Sequence, residues 1–275
     1  MQPASNFRFP AARPRWAILL ALVTGMLSAG CFNQPNNPSF PVKLSTARDD
    51  LKRMEERPHS LHRPLVVVGG IFDPGIVSSW DGWEFAKLTG DTRVISVSLG
   101  DCFTFKDCRR KIVGAVNEAY PNHPRNQTVE VDVVGCSLGG VAARHAASPC
   151  EPGPRLDIVR LFTISSPNRG AVAANYFPVI EPLQADLKPG SEFMKRLNRT
   201  AMSYPIYCYV CLGDTVIGEA NAAPPGERAW WLPDAPLTTP HTGAFFDPRI
   251  LADIARRLRD EPALTHCPPT TLPAQ

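Results

Sequence analysis

Residues 129–147 read VEVDVVGCSLGGVAARHAA. The first half is an apolar run rich in β-branched side chains, the pattern of a strand buried on both faces. The second half is rich in alanine and reads as a helix. Between them stands Gly135-Cys136-Ser137-Leu138-Gly139, a G-x-S-x-G sequence at a strand-to-helix turn. A turn that tight strains the serine backbone and leaves no room for bulky neighbours, hence the glycines. It lifts the Ser137 hydroxyl above the sheet. The Leu138 N–H, at the helix N-terminus, then faces the point where an oxyanion would form. Ser137 is the candidate nucleophile and Leu138 the first candidate oxyanion donor.

The surrounding pattern alternates strands and helices. RPLVVVGG (63–70) is a continuous apolar run ending in glycines. TRVISVSL (92–99), IVRLFTISSP (158–167) and YPIYCYVCLGD (204–214) read as further strands. Helices are expected at 79–88 with Ser79 as cap, at 106–120, and at 247–259, where Asp247 caps and Pro248 takes the first position. This order argues for an α/β domain with a mostly parallel sheet flanked by helices. The stretch from about 168 to 203 is too long for a plain crossover. Two readings are open: a cap insertion roofing the site, with Tyr176, Phe177, Val179, Ile180 and Leu183 as its apolar face, or a packed surface excursion in which these residues are core.

A serine hydroxyl needs a general base, and the base needs an orienting acid. Of six histidines, His59 and His62 precede the domain, His123 lies in a proline loop and His145 on the helix after the serine. His266 is in the tail. His241 follows the last strands and precedes the final helix, the placement of a base carried on a late loop. The acid is expected between serine and histidine in chain order. Asp214 closes the strand 204–214 at the carboxyl end of the sheet, where such sites form; Asp234 and Asp186 are its rivals. The turn after the first strand, VVVGGIFDPG, lets the backbone approach a substrate. It offers Ile71, ahead of Phe72, as second oxyanion donor.

These stretches together resemble the α/β-hydrolase superfamily, and within it the lipase and GPI inositol-deacylase-like esterases. The resemblance covers roughly residues 63–260 and rests on VVVGGIF, VDVVGCSLGGVAAR, FTISSPNRGA, KPGSEFMKRLN, and LGDTVIG followed by His241. The chain departs from that pattern in three places. Cys136 replaces a histidine beside the serine, Asn168 stands where a histidine is usual in T-P-H-x-G, and Gly69-Gly70 stand where His-Gly is usual. The resemblance implies hydrolysis of a small-molecule or lipid ester through an acyl-enzyme on Ser137, Asp214 and His241, without metal or organic cofactor. Two other readings stay open: a non-catalytic surface binding protein on the same fold, and an acyltransferase that passes the acyl group to an alcohol.

The chain has 275 residues, 44% of them hydrophobic and 20% charged, and a net charge of +3. That composition is globular. Its weak, scattered positive charge argues against nucleic acid as a partner. Arg8, Arg13 and Arg15 precede the apolar run Trp16–Gly30, the layout of a secretory signal. The run ends Leu27-Ser28-Ala29-Gly30-Cys31, resembling a bacterial lipobox, with Ser28 where leucine is preferred. Residues 1–31 are thus expected as a signal peptide, 32–62 as a linker with a short helix, 63–262 as the catalytic domain and 263–275 as a tail. Export across a bacterial inner membrane is expected, to the periplasm or beyond, or to a membrane anchored through lipidated Cys31. Eight cysteines fit an exported chain. Cys102 and Cys108 could close a small disulfide loop, and Cys136 is expected as a free thiol.

Overall fold

A computed structural model describes residues 37–121, 126–176, 182–234, 238–269 and 271–272. The signal peptide and Cys31 lie outside them, as do His123, Phe177, Val179 and Ile180. Among the described residues no helix is long and apolar enough to cross a membrane.

Six strands form one all-parallel sheet: β1 Leu65–Val68, β2 Val94–Val97, β3 Gln127–Cys136, β4 Arg155–Ile164, β5 Ile206–Cys211 and β6 Ala229–Leu232. They lie in the order β2-β1-β3-β4-β5-β6. The register sets Val68 opposite Gly135 and Cys136 opposite Ile164, so the carboxyl ends of β1, β3 and β4 are level. The strand order reverses between β1 and β3. In open parallel sheets ligands bind at that switch point, and β3 is the strand that leads into Ser137.

Helices cover both faces. α1 spans Leu44–Glu56, α2 Ile76–Thr89, α3 Phe105–Ala119, α4 Leu138–Ala147, α5 Leu183–Leu187, α6 Glu192–Arg199, α7 Pro240–Gly243 and α8 Pro248–Leu258. One core unites Val66, Val68, Val131 and Val133 with Ile112, Val116 and Val141 from α3 and α4. The other unites Leu65, Val67, Val134 and Phe162 with Met54, Phe85, Ile250 and Ile254 from α1, α2 and α8. Alternate residues of β1 and β3 thus feed opposite cores, as the pleat requires. This is why β1 and the carboxyl-terminal end of β3, residues 133–136, carry no charged side chain.

Three expectations need correction, and one strand was not anticipated. Helix α2 begins at Ile76, not Ser79. The carboxylate of Asp73 accepts the N–H groups of Gly75 and Val77 at 3.0 Å and of Ser78 at 3.1 Å, which caps the helix before Ser79 is reached. The segment read as a linker carries core residues: Phe40, Met54 and Leu61 are buried. Its helix α1 lies on α8, with Arg256 Nη2 donating to Asp50 Oδ1 at 2.9 Å and Arg53 Nη2 to Glu261 Oε2 at 2.6 Å. The stretch ERAWWLP contains an edge strand, β6, paired to β5. The seven described cysteines all carry free thiols, so the loop between Cys102 and Cys108 is not closed; both are buried.

Candidate active site

The turn from β3 to α4 is as tight as its glycines demand. A Cβ on Gly139 would come within 2.2 Å of the Val68 carbonyl oxygen. One on Gly135 would lie 2.5 Å from the backbone of Gly140. No backbone can move that far, so the helix seats on the ends of β1 and β3 only with hydrogen at these positions. Ser137 itself is held at φ 50°, ψ −123°, outside the regions open to L-residues. Its N–H donates to the Ile164 carbonyl at 2.9 Å, and Ser166 Oγ donates to the Gly135 carbonyl at 3.2 Å. The loop after β4 thereby braces the strained turn from the side.

The structure brings Ser137, His241 and Asp214 together. His241 Nε2 lies 3.1 Å from Ser137 Oγ. His241 Nδ1 lies 2.9 Å from Asp214 Oδ2 and 3.1 Å from Oδ1. Asp214 is buried at the end of the turn after β5, and its Oδ1 accepts the N–H groups of Val216 at 3.1 Å and Ile217 at 3.2 Å. Those bonds fix the carboxylate's orientation. His241 sits on the single turn of α7, with Phe245 edge-on to its ring at 5.4 Å.

The rival groups lie elsewhere. Asp234 accepts from Thr238 Oγ1 at 2.6 Å, and Asp186 is on α5. Asp247 caps α8, accepting from the Arg249 N–H at 2.8 Å. His145 is buried against Phe105 and Phe193, and burial, then the nearby Arg109, push its pKa down to about 4. It is a neutral core residue. His62 pairs with Asp260 at the surface, and the backbone N–H of His266 bonds to Ser39.

Leu138 is the first residue of α4, so its N–H has no partner within the helix. The loop 69–75 presses on the serine from the other side: a Cβ on Gly70 would lie 3.1 Å from Ser137 Cβ. Ile71 follows, half-buried against the α3–α4 core. Phe72 is held in the left-handed region at φ 61°, a strained setting for a bulky side chain.

Asp73 was not singled out from the sequence, yet it holds this loop in shape. Besides capping α2, it accepts Ser98 Oγ on its backbone carbonyl at 2.5 Å. Its carboxylate also fills the space beside Gly69, where a Cβ would stand 2.1 Å from Oδ2. The signal was present as an acidic residue just before a helix start. Asn168, at the position usually taken by histidine, has a bracing role too. It donates to the Ala222 carbonyl at 2.7 Å and accepts Arg144 Nη1 on its side-chain oxygen at 3.1 Å. Beneath the serine, Cys136 Sγ donates to Asp81 Oδ2 at 3.2 Å. Burial raises the pKa of Asp81 to about 7, against the hydrogen bond from Cys136; the charges of Asp73 and Glu84 add to the rise.

No protein-family model and no curated protein matches this sequence. Solved structures do match, distantly. Phospholipase PlaB from Legionella pneumophila, in complex with thio-NAD, aligns at 17% identity over 62% of this chain with a TM-score of 0.37. The chain spans 37% of that phospholipase's length. An esterase from Pyrobaculum calidifontis aligns at 14% identity over 80% of this chain and 93% of its own, TM-score 0.43. A putative thioesterase from Silicibacter sp. TM1040 aligns at 13% over 84% and 86%, TM-score 0.34. These likenesses are distant, and the α/β fold stands on the chain's own all-parallel six-stranded sheet and the helices that flank it.

Proposed function

We propose that this chain is a serine hydrolase that cleaves carboxylic esters through an acyl-enzyme. The observation that carries the reading is the unbroken hydrogen-bond chain Asp214–His241–Ser137, set on a strained strand-to-helix turn.

In the resting site the neutral imidazole donates its Nδ1–H to Asp214 and accepts the Ser137 hydroxyl at Nε2. As Oγ attacks the ester carbonyl, Nε2 takes the proton, and Asp214 stabilises the imidazolium that forms. The developing oxyanion is met by the N–H groups of Leu138 and Ile71. Collapse expels the alcohol, which takes the proton back from Nε2. A water then attacks the acyl carbonyl as it gives a proton to Nε2; the Oγ–acyl bond breaks, Nε2 returns that proton to Ser137 Oγ, and the acid leaves. Every proton moves through His241 Nε2, and no metal or organic cofactor is required. Acyl transfer to an alcohol uses the same first half and differs only in which hydroxyl resolves the acyl-enzyme. Export, with or without a lipid on Cys31, stays part of the proposal.

Fluorophosphonate labelling with the adduct mapped by mass spectrometry tests the reading. An adduct on Ser137 that disappears in His241→Ala is the expected result. No adduct on a folded protein would sink the hydrolase assignment and bring the binding-protein reading forward.

A further inference from the structure

A cavity of about 230 Å³ lies beside the C-terminal turn of α4, between β4 and α6. Its lining includes Arg144 of α4, Arg155, Leu156 and Asp157 of β4, Leu197 of α6, and Tyr204. No member of the triad lines it. The volume is far more than one water needs and less than that of the pockets that take drug-sized ligands.

Arg144 is the anomaly. It is 3% exposed, yet no carboxylate among the described residues pairs with it. Its Nη1 donates to the backbone carbonyl of Asn168 at 3.2 Å and to the side-chain oxygen at 3.1 Å, and its Nη2 donates to Asn198 Oδ1 at 2.9 Å. All of these acceptors are neutral, and the buried Nε–H has no acceptor. Of the other buried arginines, Arg249 pairs with Asp247 and Arg259 with Glu261. Arg109 is ringed by the backbone carbonyls of His145, Ser148, Glu151, Gly153 and Pro154. A buried cation is ordinarily matched by an anion; Arg144 has none, and it borders an empty space.

The rest of the lining says which anion fits. Tyr204 Oη has no hydrogen-bond partner among the described residues. Burial pushes the Tyr204 phenol up to about 12, against the pull of Arg144, so it stands as a donor. The one acid on the wall, Asp157, faces Arg155 on the same strand. Burial, then Glu130, raise the pKa of Asp157, and Arg155 lowers it. Arg144 and Arg155 against Asp157 leave one positive charge over. That suits a monoanion, whereas a phosphate monoester carries close to two charges. Leu156 and Leu197, both buried, offer hydrocarbon to a short tail.

We propose that this cavity binds a small organic carboxylate, its charge beside Arg144 and the Tyr204 hydroxyl and its tail against Leu156 and Leu197. The site shares no residue with the triad, so it stands or falls apart from the hydrolase reading.

Calorimetric titration of the full chain with hexanoate tests this. Hexanamide, of the same shape without the charge, and inorganic phosphate are titrated beside it. Hexanoate is expected to bind at least tenfold more tightly than either. Tyr204→Phe removes one donor to a charged acceptor and should weaken hexanoate about tenfold, with an unchanged melting temperature. Arg144→Gln should abolish binding. That variant also releases Asn168 and Asn198, so Tyr204→Phe decides the matter if it fails to fold. Hexanoate bound equally by Tyr204→Phe and the unaltered chain sits elsewhere, the triad included, and overturns the proposal. So does hexanamide or phosphate bound as tightly as hexanoate, or no binding of hexanoate at all.

Discussion

Ser137 at φ 50° and ψ −123° stores strain at the point of the proposed chemistry. Strained backbone of this kind costs about 1–3 kcal/mol, and glycine is free of it. Ser137→Gly should therefore raise the melting temperature while abolishing ester turnover; calorimetry beside an ester assay checks both. Ser137→Ala keeps the strain and should lose turnover with little change in stability. Asp214→Asn leaves the shape of the site intact but favours the wrong imidazole tautomer. A fall in kcat of about 10⁴ is expected, with fluorophosphonate labelling slowed in parallel.

Asp81 makes a prediction of opposite character, about stability alone. Its folded pKa of about 7 stands above the ordinary 3.8, so the folded state holds the proton more tightly than the unfolded chain. Its penalty is absent below pH 4, grows as pH rises towards 7, and is constant above. The full displacement corresponds to on the order of 4 kcal/mol. Asp81→Asn should flatten denaturant-measured stability between pH 4 and 7 and make the protein more stable at pH 8. A slope left unchanged in the variant would assign the pH dependence to other groups.

At the scale of elements, the segment β3–Ser137–α4 was legible because three local signals agree there: an apolar run, close-contact glycines and a small-residue helix. Gly139→Ala should be severe, since the added methyl meets the Val68 carbonyl and not a movable side chain. Loss of soluble expression, or of several kcal/mol in urea unfolding, is the expected outcome. Asp214 and His241 were legible from their order in the chain and their places after strand ends. The start of α2 was misplaced because its cap, Asp73, lies three residues ahead of the helix and reaches forward with both carboxylate oxygens. Strand β6 was missed because four residues with two adjacent tryptophans show no alternation; its pairing with β5 is a tertiary fact. The Cys102–Cys108 loop was inferred from spacing and compartment, and spacing alone does not set two sulfurs in bonding geometry.

Across the whole molecule, the alternation of strands and helices carried the architecture, but the N-terminal limit of the domain was invisible. Helix α1 is polar on most of its surface, and the partners that hold it, Arg256, Arg259 and Glu261, come from the far end of the chain. Arg259 Nη2 donates to the Arg57 carbonyl at 2.8 Å and Nη1 to that of Met54 at 3.3 Å. A chain begun at residue 63 loses these acceptors, uncovers the α8 side of the core and leaves the buried Arg259 short of partners. It should melt well below the chain begun at residue 32, by ten degrees or more on the order of several kcal/mol; equal melting temperatures would restore the linker reading.

The clasp between α1 and α8 also sets a clock. Asp50 and Arg256 are separated by 206 positions, and a ribosome adds about 5–20 residues per second. The first helix therefore waits ten seconds or more for its partner to be made. Through that interval the early strands cannot close their second face, and the emerging polypeptide stays unfinished until its last helix arrives. A chain ordered this way remains threadable for as long as it is being synthesised.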